Sequence, residues 1–164
     1  MKRIATFCCA LGLMCTGLAQ AHWMPKEEMK VGGIGAGSTL AEVEKTFGKP
    51  QKIKRLDEGW IRVVIYEYSP DFQVTARVPS EEKCSEKNMP VVGFRLRNNS
   101  LATPSGITVG MPYSVVEGKF GAVERSTDEP RASYSYQAKN SAVEMTFYVD
   151  DHNVITEIYE GSEL

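Results

Sequence analysis

A chain of 164 residues with 19 basic and 21 acidic side chains and a net charge of −2 has no positive surplus with which to grip a polyanion, so nucleic acid and anionic lipid are poor candidate partners. Its 42% hydrophobic residues are enough for a sizeable core, in one domain or two small fused ones. Two histidines and four cysteines leave little material for metal or nucleophilic chemistry.

Residues 1–21 read as a secretory signal peptide. Lys2 and Arg3 are followed by the apolar run "IATFCCALGLMCTGLA", and Ala19-Gln20-Ala21 supplies the small residues of a cleavage site before His22. A membrane-spanning helix needs ~20 apolar residues and this run is shorter. Lipidation at Cys15 is disfavoured by Met14 just before it. Cleavage predicts a periplasmic or secreted chain of 143 residues with no transmembrane segment, and its 17 basic and 21 acidic residues give a net charge of −4. Cys8, Cys9 and Cys15 leave with the leader. Cys84 alone remains, so no internal disulfide forms and the core must carry stability; Cys84 reads as a surface thiol, with pairing between chains left open.

Residues 22–33 read as a lead-in, and the chain then repeats itself. "IGAGSTLAEVEKTFG" (34–48) returns 73 residues later as "ITVGMPYSVVEGKFG" (107–121), the signature of a duplicated unit. Each copy opens with a predicted short helix. In the first, Thr39 and Glu42 fit a capping box, and Leu40, Val43 and Phe47 fall on one face. In the second, Pro112 suits the first helical position, and Tyr113, Val116 and Phe120 repeat the spacing. Gly48 and Gly121 are stop signals.

After each helix the period changes to two. The first copy offers "WIRVVIYEY", "FQVTARV" and "VVGFRLR"; the second offers "RASYSYQA", "AVEMTFYV" and "VITEIYE". The first also inserts "PSEEKCSEKNMP", a charged loop around Cys84. The prediction is an α+β fold of two tandem repeats, each a helix plus a three-stranded antiparallel sheet: repeat 1 over 34–97, a linker over 98–106 and repeat 2 over 107–164.

The second helix matches the pattern V-G-M-x-x-x-x-V-x-x-x-x-G, "FGKP" resembles a Gly-x-Pro ending, and "MTFYVDDHNVITEI" resembles a closing hairpin. On these motifs the chain resembles the SmpA/OmlA (BamE-like) envelope proteins, and it is equally similar to the tandem-repeat β-lactamase inhibitor proteins. The resemblance implies a non-enzymatic, protein-binding role in the bacterial cell envelope. Two features depart from it: the BamE-like proteins are typically lipid-anchored single units, and the inhibitors typically carry a disulfide in each repeat.

No catalytic constellation is legible. His152 lies in the turn "DDHN", where Asp, His and Asn suit the backbone geometry. A copper site at the new N-terminus, His22, would need a second histidine, and only His152 exists. "GGIGAGS" (32–38) precedes a helix but lacks a phosphate-loop spacing. No enzyme, cofactor or metal is therefore expected.

Alternation assigns sheet faces. Tyr66, Tyr68, Val74, Ala76, Val78, Val92, Phe94, Leu96, Tyr134, Tyr136, Val143, Met145, Phe147 and Val149 point inward. The other face divides the copies: Ile61, Val63, Ile65, Thr75, Arg77, Arg95 and Arg97 in the first, Ser133, Ser135, Gln137, Glu144, Thr146, Tyr148, Glu157 and Tyr159 in the second. An apolar stripe bordered by arginines and tyrosines has a protein-binding composition, so Ile61, Val63, Ile65, Arg77, Arg95, Arg97, Tyr148 and Tyr159 are the candidate contacts. Burial of Ile61, Val63 and Ile65 between the repeats explains the stripe equally well. The expected function is an exported protein-binding module; the alternative is a proteinaceous inhibitor of an extracytoplasmic enzyme such as a β-lactamase.

Overall fold

The computed structural model describes residues 23–127 and 131–162; the predicted leader and His22 lie outside them. Helix α1 (Leu40–Phe47) starts where its cap demands. The Thr39 hydroxyl accepts the Glu42 N–H at 3.3 Å and Glu42 Oε2 accepts the Thr39 N–H at 2.7 Å, completing the capping box. Leu40 and Val43 are fully buried, and Phe47 packs edge-on against Phe72 and Tyr68. Helix α2 (Ser114–Phe120) begins later than Pro112 suggests: Tyr113 is its N-cap without a side-chain cap, and Pro112 instead bridges to Val154.

The strands are β1 (Trp23–Met24), β2 (Lys52–Asp57), β3 (Ile61–Ser69), β4 (Phe72–Pro79), β5 (Val91–Leu96), β6 (Ser133–Ala138), β7 (Val143–Val149) and β8 (Ile155–Ser162). They form one eight-stranded sheet in the order β1-β6-β7-β8-β5-β4-β3-β2. All neighbours are antiparallel except β1 and β6.

This corrects the expected pair of helix-plus-three-strand repeats. The fold is a mostly-sheet, mixed, eight-stranded layer carrying two α-helices among the described residues. Two physical causes account for the difference. The last strands of the two halves, β5 and β8, pair with each other, so two sheets become one. Each edge also gains a strand that alternation did not reveal. β2, "KIKRLD", is exposed at every residue but Ile53, and its lysines suit an unpaired edge; β1 is only two residues long.

What recurs at the 73-residue offset is backbone hydrogen bonding. Gly37 N–H donates to Val91 O at 2.9 Å and Gly110 N–H to Ile155 O at 2.8 Å; Leu40 N–H donates to Met89 O at 3.1 Å and Tyr113 N–H to Asn153 O at 2.8 Å. In each half the glycine-bearing loop before the helix is therefore laid along the entry to the last strand. Gly37 and Gly110 have φ of 91° and 92°, a conformation that glycine adopts without steric cost.

The core lies between the helix-bearing face of the sheet and the elements covering it. Tyr66, Val74, Phe94, Leu96, Tyr136, Met145, Phe147 and Ile158 pack there with Met24, Met29, Met89 and Ile107. Tyr113 stacks on Tyr134 and shares a 2.7 Å hydrogen bond with Tyr136, whose hydroxyl reaches Gly121 O. One carboxylate is also shut into this layer. Glu160 is 0% exposed; its Oε1 accepts the Ala36 N–H at 2.7 Å and its Oε2 has no partner. Burial pushes it up to about 7, against the pull of that N–H and of Lys26 and Lys30.

Two outcomes follow at the seam. A Cβ on Gly93 would sit 2.2 Å from the Glu160 carbonyl oxygen, so Gly93→Ala must spread β5 from β8; we expect a loss of about 2–3 kcal/mol, read as a lower urea midpoint at unchanged slope. The folded state holds the Glu160 proton above its unfolded pKa, so this group's contribution is fully present below the unfolded value of 4.5 and is lost as pH rises through about 7. Glu160→Gln keeps an acceptor for Ala36 and should be the more stable protein at pH 8, by roughly 2–3 kcal/mol, with the advantage gone near pH 4 in parallel urea titrations.

Candidate functional site

The sheet face away from the helices is covered by no element among the described residues. Side chains cross it in register. Ile65, Thr75, Gly93, Gly161, Glu144 and Gln137 form one row, and Gln73, Arg95, Tyr159, Thr146 and Ser135 form the next. The first row has no side chain at its two central positions, Gly93 and Gly161, and the Tyr159 ring lies over Gly161, 2.9 Å from where a Cβ would stand.

Beside this row is a cleft of about 280 Å³ lined by Trp60, Ile61, Val63, Arg77, Val92 and Tyr159, among others. Ile61 and Val92 are buried at 5% and 8% exposure, yet neither belongs to the core cluster. They are apolar residues sheltered on the outer face. Trp60 stands over the cleft 74% exposed. Arg77 donates from Nη2 to Ser162 O at 3.3 Å, while its Nε has no partner.

Next to the cleft three guanidinium groups converge on one carboxylate. Glu157 is 1% exposed, with Arg97 Nε 2.8 Å and Arg131 Nη1 2.7 Å from its Oε2. Arg95 Nε lies 3.1 Å from Oε1, but neither atom makes a hydrogen bond. Desolvation alone would raise this carboxyl; the hydrogen bonds and charges of Arg131 and Arg97 outweigh it and hold Glu157 below the usual range. Arg131 stacks 4.0 Å over the Tyr148 ring, and Arg95 lies 5.9 Å from that of Tyr159.

The eight predicted contact residues all lie on this face. Ile61, Val63, Arg77 and Tyr159 line the cleft; Arg95, Arg97 and Tyr148 belong to the Glu157 group; Ile65 lies one row along β3 and outside the cleft. Val63 and Ile65 are half-buried. The two halves meet side by side through β5 and β8, so Ile61, Val63 and Ile65 are not sandwiched between repeats. Trp60, Arg131 and Val92 were missed. Val92 was assigned inward, and a register shift at Thr75/Ala76 turns it outward. Trp60 follows Gly59, whose φ is 81°, so a tryptophan directly after a turn glycine was the available signal.

The other candidates resolve structurally. Asp150 Oδ1 accepts the Val154 and His152 N–H groups, each at 2.9 Å, leaving His152 exposed on a hairpin turn. The Cys84 loop is tied down, with Glu86 bound by Arg55 at 2.5 and 2.9 Å and Lys87 paired with Glu44. Cys84 itself is half-buried and packs against the core rather than standing free on the surface. The glycine-rich stretch before α1 gives its Ala36 N–H to Glu160. Among the described residues no group of three His, Cys, Asp or Glu side chains could hold a metal ion, and no helix is long and apolar enough to cross a membrane.

No family model matches the chain, and no curated protein matches it. Among solved structures it is similar to a cysteine-rich secretory protein from Staphylococcus aureus, at 9% identity and a TM-score of 0.51 over 86% of this chain and 49% of that one. An extracellular protein containing an SCP domain from Bacillus anthracis aligns at 12% identity and TM-score 0.46, over 78% of this chain and 44% of that one. A DUF4309 family protein from Bacillus subtilis aligns at 14% and 0.43, over 77% and 79%. The chain thus spans about half the length of the first two. The single eight-stranded sheet, and its fold-level likeness to the Staphylococcus aureus protein, overturn the expected likeness to BamE-like proteins and β-lactamase inhibitors. The motifs behind that expectation, two glycine-bounded helices and a hairpin, describe local geometry that a different sheet also uses.

Replacing Glu157 tests whether the arginines depend on it. Glu157→Gln should cost roughly 1–3 kcal/mol at neutral pH, because the half-exposed arginines recover hydration in part. The ionised Glu157 stabilises above its unfolded value and loses that contribution as pH falls through its depressed folded value. The gap between wild type and variant in urea melts should therefore close toward acid, the reverse of the trend for Glu160→Gln.

Proposed function

We propose that the protein is an exported, non-enzymatic binding module that holds a protein partner against the open face of its sheet. Export is supported by the leader-like pattern of residues 1–21, and it accords with the secretory and extracellular descriptions of two structural neighbours. The observation that carries the reading is the cleft of Ile61, Val63 and Val92 under an exposed Trp60, separate from the core and rimmed by Arg77 and Tyr159. Aliphatic floor, aromatic lip and arginine rim are the composition of a binding hot spot.

Val63→Asp places a charge in the half-buried floor of the cleft and should shift stability by about 1 kcal/mol or less while abolishing capture of a partner from the surrounding medium or envelope extract. The control is its neighbour Val64, 5% exposed in the core, where Asp should unfold the protein. Loss of folding in Val63→Asp, or undiminished capture by it, sinks the reading.

A further inference from the structure

We propose that the Gly35–Ala36 peptide is a proton-linked gate over Glu160, shut while that carboxyl keeps its proton and swung out toward solvent once the proton is lost. Glu160 is 0% exposed and has one donor: the Ala36 N–H reaches Oε1 at 2.7 Å, while Oε2 has no partner. On either side in the sheet it meets Phe94 of β5 and Met145 of β7, both buried and neither able to solvate a charge. Outside lies a depression of about 340 Å³ that Ala36 lines together with Lys26, Glu27, Lys30 and Glu42, among others. The Ala36 main chain thus stands between a buried carboxyl and an open hollow. Its neighbours on both sides are fixed: Val31 and Ile34 exchange backbone hydrogen bonds at 2.9 and 3.0 Å, and the Gly37 N–H is held by Val91 O at 2.9 Å. Between these posts Ala36 is half-buried and flanked by two glycines, which offer little steric resistance to backbone rotation.

With the gate shut, desolvation outweighs the Ala36 N–H and the charges of Lys26 and Lys30, which act on Glu160 from the segment packed over it. From α1, Leu40 and Val43 turn into the core, and Glu42 stands at the depression, tied to Thr39. An ionised Glu160 finds no second donor inside; once the peptide turns, it meets water and the side of the depression that carries both ammonium groups. The closed carboxyl titrates at about 7 and a hydrated one at about 4.5. Opening is therefore independent of pH below 4.5, becomes roughly tenfold more favourable for each pH unit between 4.5 and 7, ~300-fold in all, and levels off above 7. It breaks one backbone hydrogen bond and moves no apolar side chain larger than the Ala36 methyl, so it stays local.

The test is residue-resolved amide hydrogen exchange on the isotope-labelled protein between about pH 4 and pH 8, expressed as protection relative to the unfolded chain, at several urea concentrations below the unfolding transition. Protection of the Ala36 amide should fall by roughly a hundredfold or more as pH rises to 7, then level off, with no dependence on urea. The Gly37 amide, one residue on, and the Gly110 amide, its counterpart in the other half, should stay better protected and exchange only through the urea-dependent unfolding they share with the β5–β8 seam. Glu160→Gln has no proton to lose and should make Ala36 protection independent of pH. The wild-type protein decides the matter even if that variant fails to fold: the Glu160 carboxyl carbon resonance should titrate with its midpoint at the pH where Ala36 exchange levels off. A midpoint in the ordinary glutamate range, Ala36 protection that ignores pH, a pH dependence that persists in folded Glu160→Gln, or Ala36 exchange that moves only with Gly37 and the seam and shares their urea dependence would each overturn the gate.

Discussion

The pairing of β5 with β8 is the contact on which the rest of the molecule depends. Each half on its own would end in an exposed strand whose unpaired N–H and C=O groups invite association with other chains. Joining the two last strands removes both edges. The seam runs from Gly93 opposite Gly161 to Leu96 opposite Ile158. Its buried side is filled by Phe94, Leu96 and Ile158, none more than 1% exposed. Its outer side is crossed by the approach of Arg95 on β5, and of Arg97 just past its end, to Glu157 on β8. Backbone pairing, apolar burial and ion pairing thus act across the same few residues. The close approach they produce leaves no room for a side chain at Gly93.

β8 also shows how one strand can carry two buried carboxylates with opposite behaviour. Glu157 and Glu160 are three residues apart, so the two-residue period sends them to opposite faces. On the outer face, long arginine side chains meet Glu157 while much of each remains in contact with water, so the ionised form is favoured although the carboxyl is covered. On the helix face, Glu160 meets apolar walls and a single backbone N–H, so the neutral form gains. Charge state here follows from the donors that each face can deliver, and burial alone does not decide it. The Ala36 N–H, at the end of a glycine-rich stretch, is taken by an internal carboxyl oxygen of Glu160.

Much of the local structure was legible. The α1 capping box, the helix-stop glycines, the six alternating strands and the division into inner and outer faces all depend on interactions within a few residues, and these leave a local pattern. The assembly of the sheet was not legible, because nothing in "VVGFRLR" or "VITEIYE" states that these strands will pair with each other instead of ending separate sheets. β2 was hidden because an edge strand with little burial has no alternation to display; its charges protect the edge and resemble a loop. Val92 went to the wrong face because a bulge breaks the period that the assignment relies on. At the outer face, composition identified Arg95, Arg97 and Tyr159 as surface groups. Only the three-dimensional register shows that Arg131, far along the chain, completes the ring around Glu157.

Likeness and difference between the two halves occupy different sides of the sheet. The matching hydrogen bonds of Gly37 to Val91 and Gly110 to Ile155, and of Leu40 to Met89 and Tyr113 to Asn153, constrain the helix side in both halves alike. No such bond reaches the outer side, and there the halves have parted. One half supplies apolar walls at Ile61 and Val63; the other supplies polar groups such as Ser135 and Thr146, whose hydroxyls are 2.8 Å apart. A symmetric face would offer two equivalent depressions and no preferred direction. This one offers a tryptophan-lipped apolar end and an arginine-rich end, with Tyr159 between them. A segment lying along it would therefore have one favoured orientation, imposed by the difference between the halves and held in place by the seam that joins them.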